Sequence, residues 1–280
     1  MDINSYIVHR IPKSDGTLRV IHEPCPELKL RQKGVLRWLL ARGISAGKYA
    51  HGFVRGRSTA TNAAVHTNKK VILKADLKDF FGSTKSPVIK RILMREGISK
   101  DVADEIVEIC TLDGVLPAGA PGSPFIANLV GKHMDYRIAG LAEKYDAVYT
   151  RYADDLCFSS DNPKLNHMLP ALEHVVKRCG YTLNNKKTRI MRSGRRQTVT
   201  GLVVNAKVNI PRTLRKNTRA AIHNIKMAIV NGKEFDSEEF LRIKGMLAYF
   251  SDVRPDLASR YRADIAEIER LLEMRNRLAA

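Results

Sequence analysis

The chain has 280 residues, 44% of them hydrophobic and 28% charged, which excludes a disordered chain and allows one large domain plus a smaller one. The formal net charge of +19 points to a polyanionic partner, nucleic acid before an anionic membrane. Cys25, Cys110, Cys157 and Cys179 form no C-x-x-C pair, which argues against a zinc site or a disulfide framework and fits a reducing, cytoplasmic compartment. Residues 1–10 carry charge and no long apolar run, and no stretch approaches transmembrane length, so neither a signal peptide nor a membrane partner is expected. The charge is uneven: residues 174–233 hold 15 Lys or Arg and no Asp or Glu, more than a solvated face needs, and this predicts a phosphate-contacting surface.

In chain order, residues 11–21 read as a hairpin, with Asp15-Gly16 as the turn and Lys13 and Arg19 projecting from it. A helix is predicted over residues 28–42, with Leu30, Val35, Leu36, Leu39 and Leu40 facing the core. In residues 51–58, Gly52 and Gly56 permit tight backbone geometry, Arg55 and Arg57 suit a backbone phosphate, and Ser58 or Thr59 caps the next helix. On that helix Asn62 and His66 stand four apart and share a face. Residues 71–76 are an apolar run of strand length that ends on Asp76.

Residues 86–111 read as two helices, the second opening at Ser99 or Asp101 with Val102, Ile106, Val107 and Cys110 spaced for burial. After an Asp113-Gly114 turn, the Gly- and Pro-rich residues 116–124 permit close approach of backbone to a ligand. Ser123-Pro124 opens a helix reaching about residue 144. Residues 150–159 read as a hairpin with Asp154 and Asp155 at or beside its turn. An amphipathic helix over residues 163–178 and a strand over residues 197–205 follow. Beyond Pro211, Arg212, Arg215, Lys216 and Arg219 line one side of a helix, suited to the phosphates of an A-form or hybrid duplex. Two more helices follow, the last with an apolar stripe of Leu257, Tyr261, Ile265, Ile268 and Leu272.

Adjacent carboxylates repel, so a fold that holds Asp154 and Asp155 together calls for a cation, unless both simply cap a solvated turn. Hard divalent metals prefer carboxylate oxygens, and Mg²⁺ keeps positions open for phosphate. Were the strand ending at Asp76 to lie beside the hairpin, three carboxylates would meet. Such a cluster holds two metals roughly 3.5–4 Å apart, the arrangement for in-line phosphoryl displacement. The rival reading of Asp76 is a strand-end carboxylate satisfied by a nearby lysine.

Tyr152-Ala153-Asp154-Asp155 resembles the signature of reverse transcriptases; Asp76 with Phe80-Phe81 resembles their first catalytic motif, and residues 116–124 the Gly-Pro loop between the two, all in the family's order. The resemblance implies that Asp76, Asp154 and Asp155 are catalytic and hold two Mg²⁺ ions, with the Leu77 carbonyl as a further metal ligand. It implies that Lys13 and Arg19 meet the triphosphate and base of an incoming dNTP, and that Gly119 approaches the same nucleotide. Phe81 falls where the family has an aromatic gate against the 2′-OH, a repulsive route to specificity, although one of Phe80 and Phe81 is equally a core residue. Lys187, in a match to L-N-x-x-K-T, either steadies the leaving pyrophosphate or is one more phosphate-facing lysine. Ala118 departs from the pattern, which has Gln there.

Asn62-Ala63-Ala64-Val65-His66 resembles the N-A-x-x-H motif of retron enzymes, as Val199-Thr200-Gly201 resembles their V-T-G motif. Both are expected among the nucleic-acid contacts. The resemblance implies an α/β (α+β) right-hand fold: fingers and a ferredoxin-like palm with an antiparallel sheet over residues 1–205, and a helical thumb over residues 206–280. It implies RNA-directed DNA synthesis on a cognate structured non-coding RNA, primed from an RNA 2′-OH, yielding single-stranded DNA in antiphage defence, with any effector a separate protein. The rivals are a group II intron-like or diversity-generating enzyme, and a catalytically silent RNA-binding scaffold.

Overall fold

The computed structural model describes residues 5–12 and 16–279. Lys13 and the Asp15 half of the predicted turn therefore lie outside the described residues. On either side, β1 (Tyr6–Pro12) and β2 (Leu18–Pro24) pair antiparallel from Tyr6↔Pro24 to Pro12↔Leu18. Helix α1 (Pro26–Ala41) opens on a proline, whose fixed φ suits a first helical position. Its buried face is Leu28, Gln32 and Leu39, whereas Leu30 and Leu40, expected in the core, are 64% and 53% exposed. Gln32 turns the helix this way because its buried amide donates to the Tyr6 hydroxyl and the Ile109 carbonyl, each at 3.0 Å.

Helix α2 (Thr59–Ala64) begins with a reciprocal cap between Ser58 and Thr61. Then come β3 (Val71–Asp76), α3 (Ser86–Arg95), α4 (Lys100–Cys110), α5 (Ser123–Glu143), β4 (Val148–Tyr152) and β5 (Asp155–Ser160). A 3₁₀ turn (Leu165–Met168) leads into α6 (Leu169–Arg178), shorter than the helix expected over residues 163–178. The short edge strand β6 (Arg189–Arg192) has no apolar alternation to announce it. The strand expected over residues 197–205 is instead a hairpin of β7 (Thr198–Val199) and β8 (Leu202–Val203). The break comes from Thr200 and Gly201, both at positive φ (46° and 82°), the geometry of a two-residue hairpin turn. Helices α7 (Arg212–Val230), α8 (Ser237–Val253) and α9 (Pro255–Ala279) complete the fold.

The central sheet has the order β4-β5-β3-β6 and is antiparallel throughout. Side chains alternate across it. Val71, Leu73, Ala75, Leu156 and Phe158 enter one hydrophobic cluster with α1 and α3–α6. Ile72 and Cys157 enter a second, formed with Ala63, β7, β8 and helices α7–α9. A strand buried on both faces reads as a mostly apolar run without alternation, as β3 does apart from Lys74. Asp76 and Asp155 lie on the second face, at the sheet's open end.

Candidate active site

Register brings the carboxylates together. Asp76 on β3 stands opposite Asp155 on β5, and the Leu77 amide donates to the Asp154 carbonyl at 2.9 Å. Ala153 and Asp154 form the two-residue turn between β4 and β5, with Ala153 at φ 56°. On the other side the Asn184 amide donates to the Asp76 carbonyl at 2.7 Å, and Leu77 bridges Leu183.

The charge around this cluster is unbalanced. Asp76, 6% exposed, accepts from Lys187 Nζ at 3.0 Å and Asn184 Nδ2 at 3.3 Å. Asp155 Oδ2 lies 3.8 Å from Lys74 Nζ. Burial first, and then the neighbouring carboxylates, push the Asp154 acid above the ordinary carboxylate range. Burial likewise raises Asp155, with Lys74 opposing and Asp76 adding to the shift. The hydrogen bond to Asp76 raises Lys187. Among the described residues no three His, Cys, Asp or Glu side chains are gathered closely enough to hold an ion, and Asp76 is paired with Lys187 instead. The donor chemistry still fits a hard divalent cation: three oxygen-only groups lie at one sheet end, two of them destabilised as anions first by burial and then by neighbouring carboxylates.

The turn rests on a buried network that sequence reasoning missed. Arg151, fully buried, donates Nε and Nη2 to the two oxygens of Asp135 at 2.8 Å each, and Nη1 to Asn128 Oδ1 at 2.7 Å and to the Ala153 carbonyl at 3.1 Å. Burial and Asp135 oppose each other at this guanidinium, and the net effect holds it firmly protonated. Tyr149 donates its hydroxyl to Asp135 at 2.8 Å. Gly131 makes room, since a Cβ there would stand 2.9 Å from Arg151 Nη2. Asn128 also donates to the Gly52 carbonyl at 2.8 Å, fastening residues 51–58 to the turn.

Several expected nucleic-acid contacts are buried instead. His66 lies under the sheet, its Nε2 2.7 Å from Thr150 Oγ1 and its Nδ1 2.8 Å from Ser159 Oγ, bridging β4 and β5. Asn62 is 1% exposed and Val199 fully buried, so neither side chain reaches a ligand. Thr200 donates its hydroxyl to the Thr59 carbonyl at 2.8 Å, which ties the β7–β8 turn to the start of the helix that carries Asn62. Gly201 is exposed at the tip of its turn. Arg57 donates Nη1 to the carbonyls of Gly47, Lys48 and Ala50, which makes it a brace of its own loop rather than a free phosphate clamp. Polar side chains at helical spacing read as surface in a sequence; the hydroxyls on facing strands that bury His66 leave no local signal.

The remaining residues stay accessible. Arg55 and Arg19 are exposed. Phe80 belongs to the core, while Phe81 is half-buried with its ring 5.7 Å from that of Phe80. Gly119 is exposed at φ 114°, where a Cβ would stand 2.6 Å from Ile21 Cγ2, and the His22 amide donates to the Ala118 carbonyl at 2.7 Å. Arg212, Arg215, Lys216 and Arg219 line a cavity of about 310 Å³ between α7 and α9, joined by Leu257, Arg260 and Tyr261. Arg215 Nε is buried there without a hydrogen-bond partner.

Comparison with known proteins defines the class first. The family model for reverse transcriptase (RNA-dependent DNA polymerase) matches residues 11–204. Apo telomerase from Candida tropicalis superposes with a TM-score of 0.54 over 89% of this chain and 58% of that chain; at 14% identity this is a likeness of fold alone. Retron Mx162 reverse transcriptase of Myxococcus xanthus is 37% identical over 94% of this chain and 61% of its own length. Retron Ec86 reverse transcriptase of Escherichia coli is 33% identical over 95% of this chain and 82% of its own. The chain belongs to the reverse transcriptase family, in the company of its retron members. It spans about three-fifths of the length of the two Myxococcus relatives, 61% and 64%.

Proposed function

We propose that the protein is an RNA-directed DNA polymerase of a retron, copying a cognate structured non-coding RNA into single-stranded DNA from an RNA 2′-OH in antiphage defence. The observation that carries the catalytic reading is the strand register that sets Asp76 against Asp155 beside the Asp154 turn. Asp76, Asp154, Asp155 and the Leu77 carbonyl would hold Mg²⁺, whose chemistry when bound is to make the primer hydroxyl a better nucleophile and to neutralise the leaving oxygens. Lys187, released from Asp76, faces the pyrophosphate; Arg19, with Lys13, and Gly119 border the dNTP. Phe81, with Phe80 occupied in the core, crowds the sugar's 2′ position. Residues 1–205 act as fingers and palm and residues 206–280 as the thumb, whose α7 cations and Arg260 meet duplex phosphates.

Primer extension on an RNA template with Mg²⁺ tests the assignment. Wild type extends the primer, and Asp154→Asn with Asp155→Asn lowers extension by at least about a thousandfold while retaining template binding, the loss expected when transition-state charge stabilisation goes. Extension by the double variant at the wild-type rate would leave an RNA-binding scaffold as the better account. Sequencing the nucleic acid that co-purifies with the protein identifies the template.

A further inference from the structure

Phe53 breaks two local rules at one position. It is 58% exposed, and it holds φ at 60°, a conformation that bulky L residues seldom adopt. Among the described residues its ring meets no other aromatic ring. Glycine or asparagine would fit this backbone better. Strain that persists in an over-determined setting concentrates at functional sites.

The setting here is over-determined. The His51 amide donates to the Arg151 carbonyl at 2.6 Å, and the Arg151 amide to the Tyr49 carbonyl at 2.8 Å, so the chain entering the loop is laced to β4. Gly52 then abuts the catalytic turn so closely that a Cβ would stand 2.6 Å from the Ala153 nitrogen and 3.3 Å from Tyr152 Cδ1. With Asn128 gripping the Gly52 carbonyl, the next residue must leave beside Tyr152-Ala153-Asp154-Asp155. Two residues on, Arg55 is exposed and, among the described residues, forms no ion pair. A bare ring two residues before such a guanidinium suits a base or sugar face followed by its phosphate.

We infer that Phe53 is a binding residue for the growing end of the nucleic acid, its ring packed on the base or sugar face of the primer–template beside the carboxylates. The inference rests on the polymerase reading above and adds a contact that reading does not require. Phe53→Gly separates binding from folding, because glycine relieves the backbone at φ 60° and removes the ring. The 280-residue chain is titrated against a fluorescein-labelled DNA primer on an RNA template, without dNTP, and melted in parallel.

Phe53→Gly should melt at or above the wild-type temperature yet bind about tenfold more weakly, while Phe53→Trp binds within about twofold of wild type, the scale of one base–aromatic stack. 2-Aminopurine at the primer 3′ end should change its emission with wild type and Phe53→Trp and not with Phe53→Gly. Equal affinity of Phe53→Gly and wild type overturns the contact and leaves the polymerase reading intact, as does a loss in Phe53→Trp as large as in Phe53→Gly. Failure of wild type itself to bind the hybrid overturns both.

Discussion

His66 carries its pH dependence in its burial. Desolvation first, and then the charge of His51, lowers its pKa from 6.5 to about 3. The folded protein therefore keeps a neutral ring where the unfolded chain takes up a proton. That stability is fully present above about pH 6.5 and drains away as pH falls from there toward about 3. At about 1.36 kcal/mol per unit the loss reaches about 3 kcal/mol by about pH 4. Thermal melts between about pH 7 and about pH 4 should fall steeply for wild type and less steeply for His66→Gln, whose lower starting stability reflects the weakened Thr150–Ser159 bridge. Parallel slopes for the two proteins would remove His66 as the titrating group. Helical spacing makes Asn62 and His66 visible as a pair on one face; which face, and that it turns inward, is set by hydroxyls 84 and 93 residues away from His66.

At the level of elements, α5 supports the β4–β5 turn through one missing methyl group. Gly131→Ala gains about 1 kcal/mol of helix propensity. Against that, the new Cβ would crowd Arg151 Nη2, which is held in a two-point pair with Asp135 and cannot swing aside as an unpaired side chain would. Disturbing a buried ion pair costs about 3–5 kcal/mol, so the clash wins and the variant should be destabilised by about 2 kcal/mol or more in denaturant unfolding. A stabilised Gly131→Ala would show that the pair adapts. The carboxylate strands are legible in the sequence because an apolar run ending in Asp, and a doublet in a hairpin, are local patterns. The Arg151–Asp135 pair is not, since its partners lie on different elements and charged side chains read as surface. For the same reason apolar spacing alone places Leu39, Val35 and Leu36 of α1 correctly but turns Leu30 and Leu40 inward as well: nothing in that stripe hints that Gln32 is buried.

For the whole molecule, charge is segregated as the sequence indicates, and α7 with α9 draws it into a concave surface. Among the described residues none of Arg212, Arg215, Lys216, Arg219 or Arg260 is in a salt bridge. Removing one phosphate-binding cation reduces the slope of log affinity against log salt by about 0.9 for a duplex. Arg215→Gln with Arg219→Gln should therefore bind primer–template more weakly at low salt and flatten that slope by nearly two; an unchanged slope would place the duplex elsewhere. The family match ends at residue 204, yet the second hydrophobic cluster runs from Ile72 and Cys157 through Ile222, Phe250 and Ile268. Trimming the gene after the matched region would strip the greasy underside of the very strands that present the acids, and the shortened product should clump rather than work. Helices α7–α9 are thus also the floor under the carboxylate-bearing strands, and no swap of them between relatives can be neutral unless the residues beneath travel too.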